Sequence, residues 1–285
     1  MRWTPSGRGN IDDLRGSSGG GIGRVPLGIG GILVLLVLSW FTGIDFMSLV
    51  GNNSVPQSDS ATGTSGPVTT TPQEEETMDF VNAVMEDTQV TWDQLLGGRY
   101  QRTRAVVFRD AVQSTCGMAE SAVGPFYCPG DRKVYLDLSF FDELNSRFGA
   151  PGDFAQAYVL AHEVGHHIQT LTGVESQVRQ RQAQGGDRNA LSVRMELQAD
   201  CYAGVWGFHA NKSGRFQQGK VELDPDDIDE GLRAASAIGD DTLQKRSTGR
   251  VMPDKFTHGS AAQRVEWFRR GFSSGDPNAC NTFQS

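Results

Sequence analysis

The sequence predicts an α+β domain, mainly helical with a small β-sheet, preceded by a single transmembrane helix. Three observations carry that expectation. A nearly uninterrupted apolar stretch near the N-terminus is long enough to cross a bilayer, and several later segments repeat apolar residues at helical spacing. Two short runs rich in β-branched and aromatic residues, 104–110 and 133–137, have the composition of strands.

In chain order, residues 1–25 are rich in Gly and Ser and are expected to be disordered. Pro26–Ile44 is apolar over 19 residues without a charge, and a membrane-spanning anchor is expected over 26–46. A cleaved signal peptide is the competing reading; the length of the stretch and the lack of a small-x-small site close behind it favour an uncleaved anchor. Arg2, Arg8, Arg15 and Arg24 precede the stretch, and no Lys or Arg follows until Arg99. The positive-inside rule therefore places the N-terminus in the cytoplasm and everything beyond the anchor outside it, in the periplasm or at the cell surface. Residues 47–77 hold much Ser, Thr, Gly and Pro and read as a flexible linker.

The expected domain runs from 78 to 285, long enough for a real core. A helix is predicted over 77–96, then the two strands, then a helix over 139–148. The next helix runs from Asp153, which can cap its first turn, to Gly173, which can end its last. Further helices are predicted over 192–206, 226–238 and 260–271. Four cysteines suit an oxidising compartment: Cys116 and Cys128 bracket a short Gly/Pro-bearing loop, and Cys201 could meet Cys280, though three pairings are open. The formal charge, 26 basic against 34 acidic residues or −8, argues against nucleic acid as a partner. Oligomeric state is not legible.

The 153–173 helix carries His162-Glu-Val-Gly-His166. At 100° per residue the two imidazoles lie about 40° apart on one face, with Glu163 about 60° beyond His166. Two nitrogen ligands and a neighbouring base suit zinc, whose catalytic sites keep three protein ligands and one open position. His167 is turned 100° away and reads as structural, and His209 as a partner for a helix C-terminus. For the third ligand the candidate is Glu196 on the 192–206 helix. Asp200, one turn on, could then bond the outer nitrogen of a ligand histidine. A solvated acidic helix face is the competing reading of that pair.

His162-Glu-x-x-His166 followed by Glu196-Leu-Gln-Ala-Asp200 resembles the gluzincin class of metallopeptidases. More narrowly, Lys133–Phe141, Phe148–Phe154, Arg194–Cys201 and Phe256–Ser260 resemble the bacterial neutral zinc metallopeptidase family. The resemblance implies a zincin-like fold, Zn2+ held by His162, His166 and Glu196, Glu163 as catalytic base, and a protein or peptide substrate. His258 is the candidate for stabilising the oxyanion, with Tyr158 or Tyr202 as alternatives and a structural histidine as the competing reading. The interval between His166 and Glu196 exceeds that of thermolysin-like members, so an inserted loop or turn is expected there. A membrane-anchored metallopeptidase is the function this sequence predicts. A non-catalytic envelope protein with a peptidase-like zinc site, or a zinc amidase acting on a non-protein polymer, is the alternative.

Overall fold

The computed structural model describes residues 1–16, 69–211, 221–223 and 226–284. The expected transmembrane segment at 26–46 lies outside them. Among the described residues no helix is long and apolar enough to cross a membrane.

The first helix, α1 (Pro72–Leu96), begins five residues before its expected start. Thr71 and Glu74 form a reciprocal capping box and Pro72 occupies the first helical position, so a stretch read as linker is a helix start. Met78, Val81, Val84, Met85 and Trp92 sink into the core.

A four-stranded sheet packs beside it in the order β2 (Ile11–Asp13), β3 (Arg104–Phe108), β7 (Lys133–Asp137), β6 (Phe126–Cys128). β2, β3 and β7 run parallel; β6 is antiparallel to β7 and ends the sheet among the described residues. A hairpin, β4 (Ala111–Ser114) with β5 (Gly117–Glu120), stands apart, and β1 (Arg2–Trp3) pairs with β8 (Val221–Glu222).

The placement of β1 and β2 corrects the expectation of a disordered N-terminus for residues 1–16. Ile11 pairs with Ala105 and is buried, and Asp12 pairs with Lys133 and Arg104. Arg8 reaches Glu75 and Asp79, and the nearly buried Arg15 bonds Asp13 and Glu75. The Met1 amine lies 2.9 Å from Asp227. This arm is short and Gly-bearing, with one buried apolar residue in its main strand, so it carries no periodic signal. Partners distant in sequence order it.

Among the described residues seven α-helices follow α1: α2 (Ser139–Ser146), α3 (Asp153–Leu171), α4 (Val174–Ala183), α5 (Arg188–Asn211), α6 (Asp227–Ala237), α7 (Asp240–Thr248) and α8 (Ala261–Ser274). α4 fills the long interval between His166 and Glu196, where a loop or turn was expected. The two strands expected at 104–110 and 133–137 are β3 and β7; the shorter strands had no legible pattern. Disulfides join Cys116 to Cys128 and Cys201 to Cys280, the latter tying the C-terminal tail to α5.

α3 and α5 cross closely, and Gly165 is what permits it. A Cβ there would stand 3.0 Å from the Cα and carbonyl oxygen of Ala199, tighter than ordinary packing tolerates. The glycine inside the His-Glu-x-Gly-His motif therefore brings Glu196 within reach of the histidines.

Candidate metal centre

His162, His166 and Glu196 converge from α3 and α5, with one ligand atom from each lying within 4.8 Å of the other two. His162 Nε2 is 3.1 Å from Glu196 Oε2, and His166 Nε2 is 3.5 Å from Glu196 Oε1. Donors about 2.1 Å from a tetrahedral zinc stand about 3.4 Å apart, so the cluster has the dimensions the ion requires. Both outer imidazole nitrogens are engaged elsewhere, which turns both Nε2 atoms toward the same point. His162 Nδ1 lies 2.8 Å from Asp200 Oδ1, and His166 Nδ1 lies 2.9 Å from Gln169 Oε1.

The field at that point favours positive charge. Burial opposes a charge on His162, yet Asp200 and Glu196 outweigh it and lift its pKa to about 10. Burial likewise opposes the Glu196 carboxylate, but His166 and His162 hold it well below the usual carboxylate range. On the flank of the cluster, burial pushes the Glu163 carboxyl up against the pull of His166 and His162. A carboxyl shifted toward neutral pH is suited to taking and returning a proton.

Asp200 is fully buried and has three partners. It accepts hydrogen bonds from Tyr158 and from His162 Nδ1, and Arg264 donates to both of its oxygens at 2.9 Å. Arg264 was not legible as a site residue, and Tyr158 was read only as an alternative oxyanion donor, not as a partner of Asp200. Their signals exist in hindsight: Tyr158 sits one turn before His162, and Arg264 is a lone charge on the buried α8 face that also carries Phe268 and Gly271. Gln169 was missed as well, though it is three residues from His166 and so adjacent on the helix.

His258 lies in a loop whose shape is imposed by Asp240. One oxygen of that carboxylate accepts the backbone N–H groups of Thr257, His258 and Gly259 at 2.7, 2.7 and 3.0 Å. Gly259 has a positive φ and faces Leu197 and Val193 so closely that a side chain would crowd them, which seats the loop on α5 beside Glu196. The His258 side chain remains half-exposed. Desolvation opposes its protonation, but Asp240 and Glu196 raise its pKa. The two tyrosine alternatives are otherwise occupied. Tyr158 is fully buried in the Asp200 cage, and Tyr202 is buried edge-on against Trp92.

His167 is buried and points away from the cluster. Its Nε2 donates to the Gln101 carbonyl, so Nδ1 accepts from the Tyr127 hydroxyl 2.9 Å away, fastening β6 to α3.

Residues 1–283 match the family described as "Putative neutral zinc metallopeptidase". The chain belongs to that family. It is 47% identical to "Uncharacterized protein YpfJ" of Escherichia coli (strain K12), over 99% of each chain. It is 46% identical to "Uncharacterized protein Rv2575" of Mycobacterium tuberculosis (strain ATCC 25618 / H37Rv), over 72% of this chain and 70% of the relative. No solved structure matches significantly. Membership of the zinc metallopeptidase family implies zinc as the cofactor, hydrolysis as the reaction class and a peptide as the substrate. The donor set fits the ion: two imidazole nitrogens, neutral once they ligate, and a carboxylate are a known catalytic combination for it.

Proposed function

We propose that the protein is a zinc-dependent peptidase whose general base is Glu163. The observation that carries this reading is the meeting of Glu196 with both imidazoles beside the buried Glu163 carboxyl. A purely structural metal site has no use for that carboxylate. Zinc held by His162, His166 and Glu196 would supply Lewis acidity, making a water acidic near neutral pH and polarising the scissile carbonyl.

The remaining work falls to side chains. Glu163 takes the proton from the attacking water and returns it to the leaving amine, which requires the same carboxyl to act as base and then acid. His258, half-exposed on its Asp240-held loop, is positioned to donate to the developing oxyanion. Asp200 orients His162 and is itself braced by Arg264 and Tyr158. β6, the antiparallel edge strand among the described residues, fastened to α3 through Tyr127 and His167, offers main-chain groups along which an extended peptide could lie.

The full chain is expected to bind about one zinc. Glu196→Ala should lose the metal, and undiminished zinc content in that variant refutes the ligand assignment. Glu163→Gln should keep the metal while cleavage of a mixed peptide library falls by roughly 10²–10⁴-fold. Retained turnover there sinks the base.

For location, the reading is extracytoplasmic, supported by two disulfides and no free cysteine among the described residues. Membrane attachment through residues 26–46 would leave the arm and the domain on the same side. An epitope inserted in the 17–21 segment and one at the C-terminus should therefore be labelled from the same face of the membrane. Labelling from opposite faces would restore the single-pass arrangement.

A further inference from the structure

The outer nitrogen of His166 is not held by a carboxylate. Its partner is Gln169, fully buried, and behind Gln169 stands a second buried amide, Gln198. The direction of every hydrogen bond in this chain follows from two backbone carbonyls, which can only accept. Gln169 Nε2 lies 2.7 Å from the Met195 carbonyl, so that atom is the amide nitrogen and its oxygen must face His166. Gln198 Nε2 lies 2.9 Å from the Cys280 carbonyl, so its oxygen must face Gln169, accepting the second N–H at 3.1 Å. Gln169 Oε1 has no hydrogen to give. His166 Nδ1 must therefore carry a proton, and in the neutral imidazole that leaves Nε2 bare and aimed at Glu196.

We propose that Gln169 and Gln198 are positioning residues that lock the tautomer of His166 and tie this ligand, through the Cys280 carbonyl, to the tail bridged to α5 by Cys201–Cys280. The inference rests on the reading that the cluster binds zinc. A neutral relay has a physical reason here. The cluster already holds the buried Glu163 and Asp200 beside the partly buried Glu196, and a further carboxylate beside His166 would raise the proton affinity of Glu163 again. Gln169 supplies an acceptor without a charge. Its two N–H groups are both used, one by each acceptor, so a glutamate of the same shape would set a carboxylate oxygen against the Met195 carbonyl and the Gln198 oxygen with no hydrogen between them.

The bridge matters because Cys280 contributes its carbonyl only while the tail lies on α5. Cys201 and Cys280 are both fully buried, and Thr282 adds a hydrogen bond to the Arg194 carbonyl at 2.7 Å. Opening the bridge frees the last acceptor, and Gln198 then has no fixed orientation to pass on. The loss should be graded along the relay, since Gln169 retains the Met195 carbonyl when Gln198 is lost.

Two measurements on the full chain test this. The first is zinc affinity by chelator competition, with folding checked by circular dichroism. Gln169→Leu should weaken zinc binding by roughly 10–100-fold, the usual effect of removing the outer partner of a ligand histidine. Gln198→Leu and the Cys201→Ser/Cys280→Ser double variant should weaken it by about tenfold or less. If the double variant does not fold, Gln198→Leu, which keeps the bridge, carries that arm. The second is the ring ¹⁵N shifts of His166 in zinc-free protein. The wild type should show the Nδ1–H form, and Gln169→Leu a mixture of tautomers, a change that a merely structural glutamine would not produce. Zinc affinity of folded Gln169→Leu within about twofold of wild type, or a neutral wild-type His166 protonated at Nε2 and not at Nδ1, overturns the proposal. A wild-type chain that holds the Nδ1–H form but takes up no zinc would keep the relay and overturn the proposed function instead.

Discussion

The two histidines of one helix are supported in opposite ways. Behind His162 is a cage of charges: Asp200 is fully buried, and Arg264 closes on both of its oxygens. Behind His166 is a file of neutral amides ending on a backbone carbonyl. A buried carboxylate makes its imidazole a stronger ligand but must be matched by a cation, because an unpaired charge in low dielectric is costly. An amide needs no counter-charge, only acceptors for its two hydrogens. The difference shows how a site with several carboxylates can orient two ligands while adding only one more negative charge.

Asp200→Ala tests the charged side and should have the largest effect, because Arg264 would be left buried without its carboxylate. A loss of about 3–5 kcal/mol in unfolding free energy is expected from urea titration. Replacing Asp200 and Arg264 together, with Leu and Met, should recover much of that loss, since the penalty belongs to the orphaned charge. If the double replacement is as costly as the single one, the charged cage is not what distinguishes the His162 side. Gln169→Leu probes the neutral side and should cost less, about 1–3 kcal/mol, for the donors lost by Met195 and Gln198. Equal losses at Asp200 and Gln169 would erase the contrast.

Asp240 extends the comparison to the loop carrying His258. Desolvation alone would raise its pKa, but hydrogen bonds from His258 and from the backbone at 257 and 258 lower it below the usual value of 3.8. A carboxylate whose folded pKa is depressed contributes stability that is fully present above its unfolded value and is lost as pH falls through the folded one. The stability gap between wild type and Asp240→Asn should therefore be widest from about pH 5 up to the range where His258 loses its proton, and should close as the solution is acidified below about pH 4. A gap that does not change with pH would remove the charge from the account of that loop.

Much of the site was legible because it is local. His162, Glu163 and His166 share two turns of one helix, and Glu196 and Asp200 share a turn of another, so helical spacing alone puts each set on one face. Apolar residues at helical spacing over 153–171 marked the helix that carries the histidines. The second layer was not legible. Arg264 lies 64 residues beyond Asp200 and Gln198 lies 82 residues before Cys280, and nothing near either residue reports that separation. The arm at 1–16 is a sharper case. Its main strand contains Ile11-Asp12-Asp13, which no propensity would make a strand, and its order comes from pairing with β3 and from ion pairs with α1 and β7.

By itself the sequence determined the donor types, their spacing along two amphipathic helices, the base between the histidines, and cysteines suited to an oxidising compartment. Each is a property of residues within a few turns of one another, where backbone geometry leaves little choice. Only the tertiary structure decided that Gly165 lets those helices meet, which groups hold each imidazole, and that the N-terminal arm is part of the domain. Those outcomes depend on which distant surfaces exclude water together, and a one-dimensional pattern does not encode the match between them.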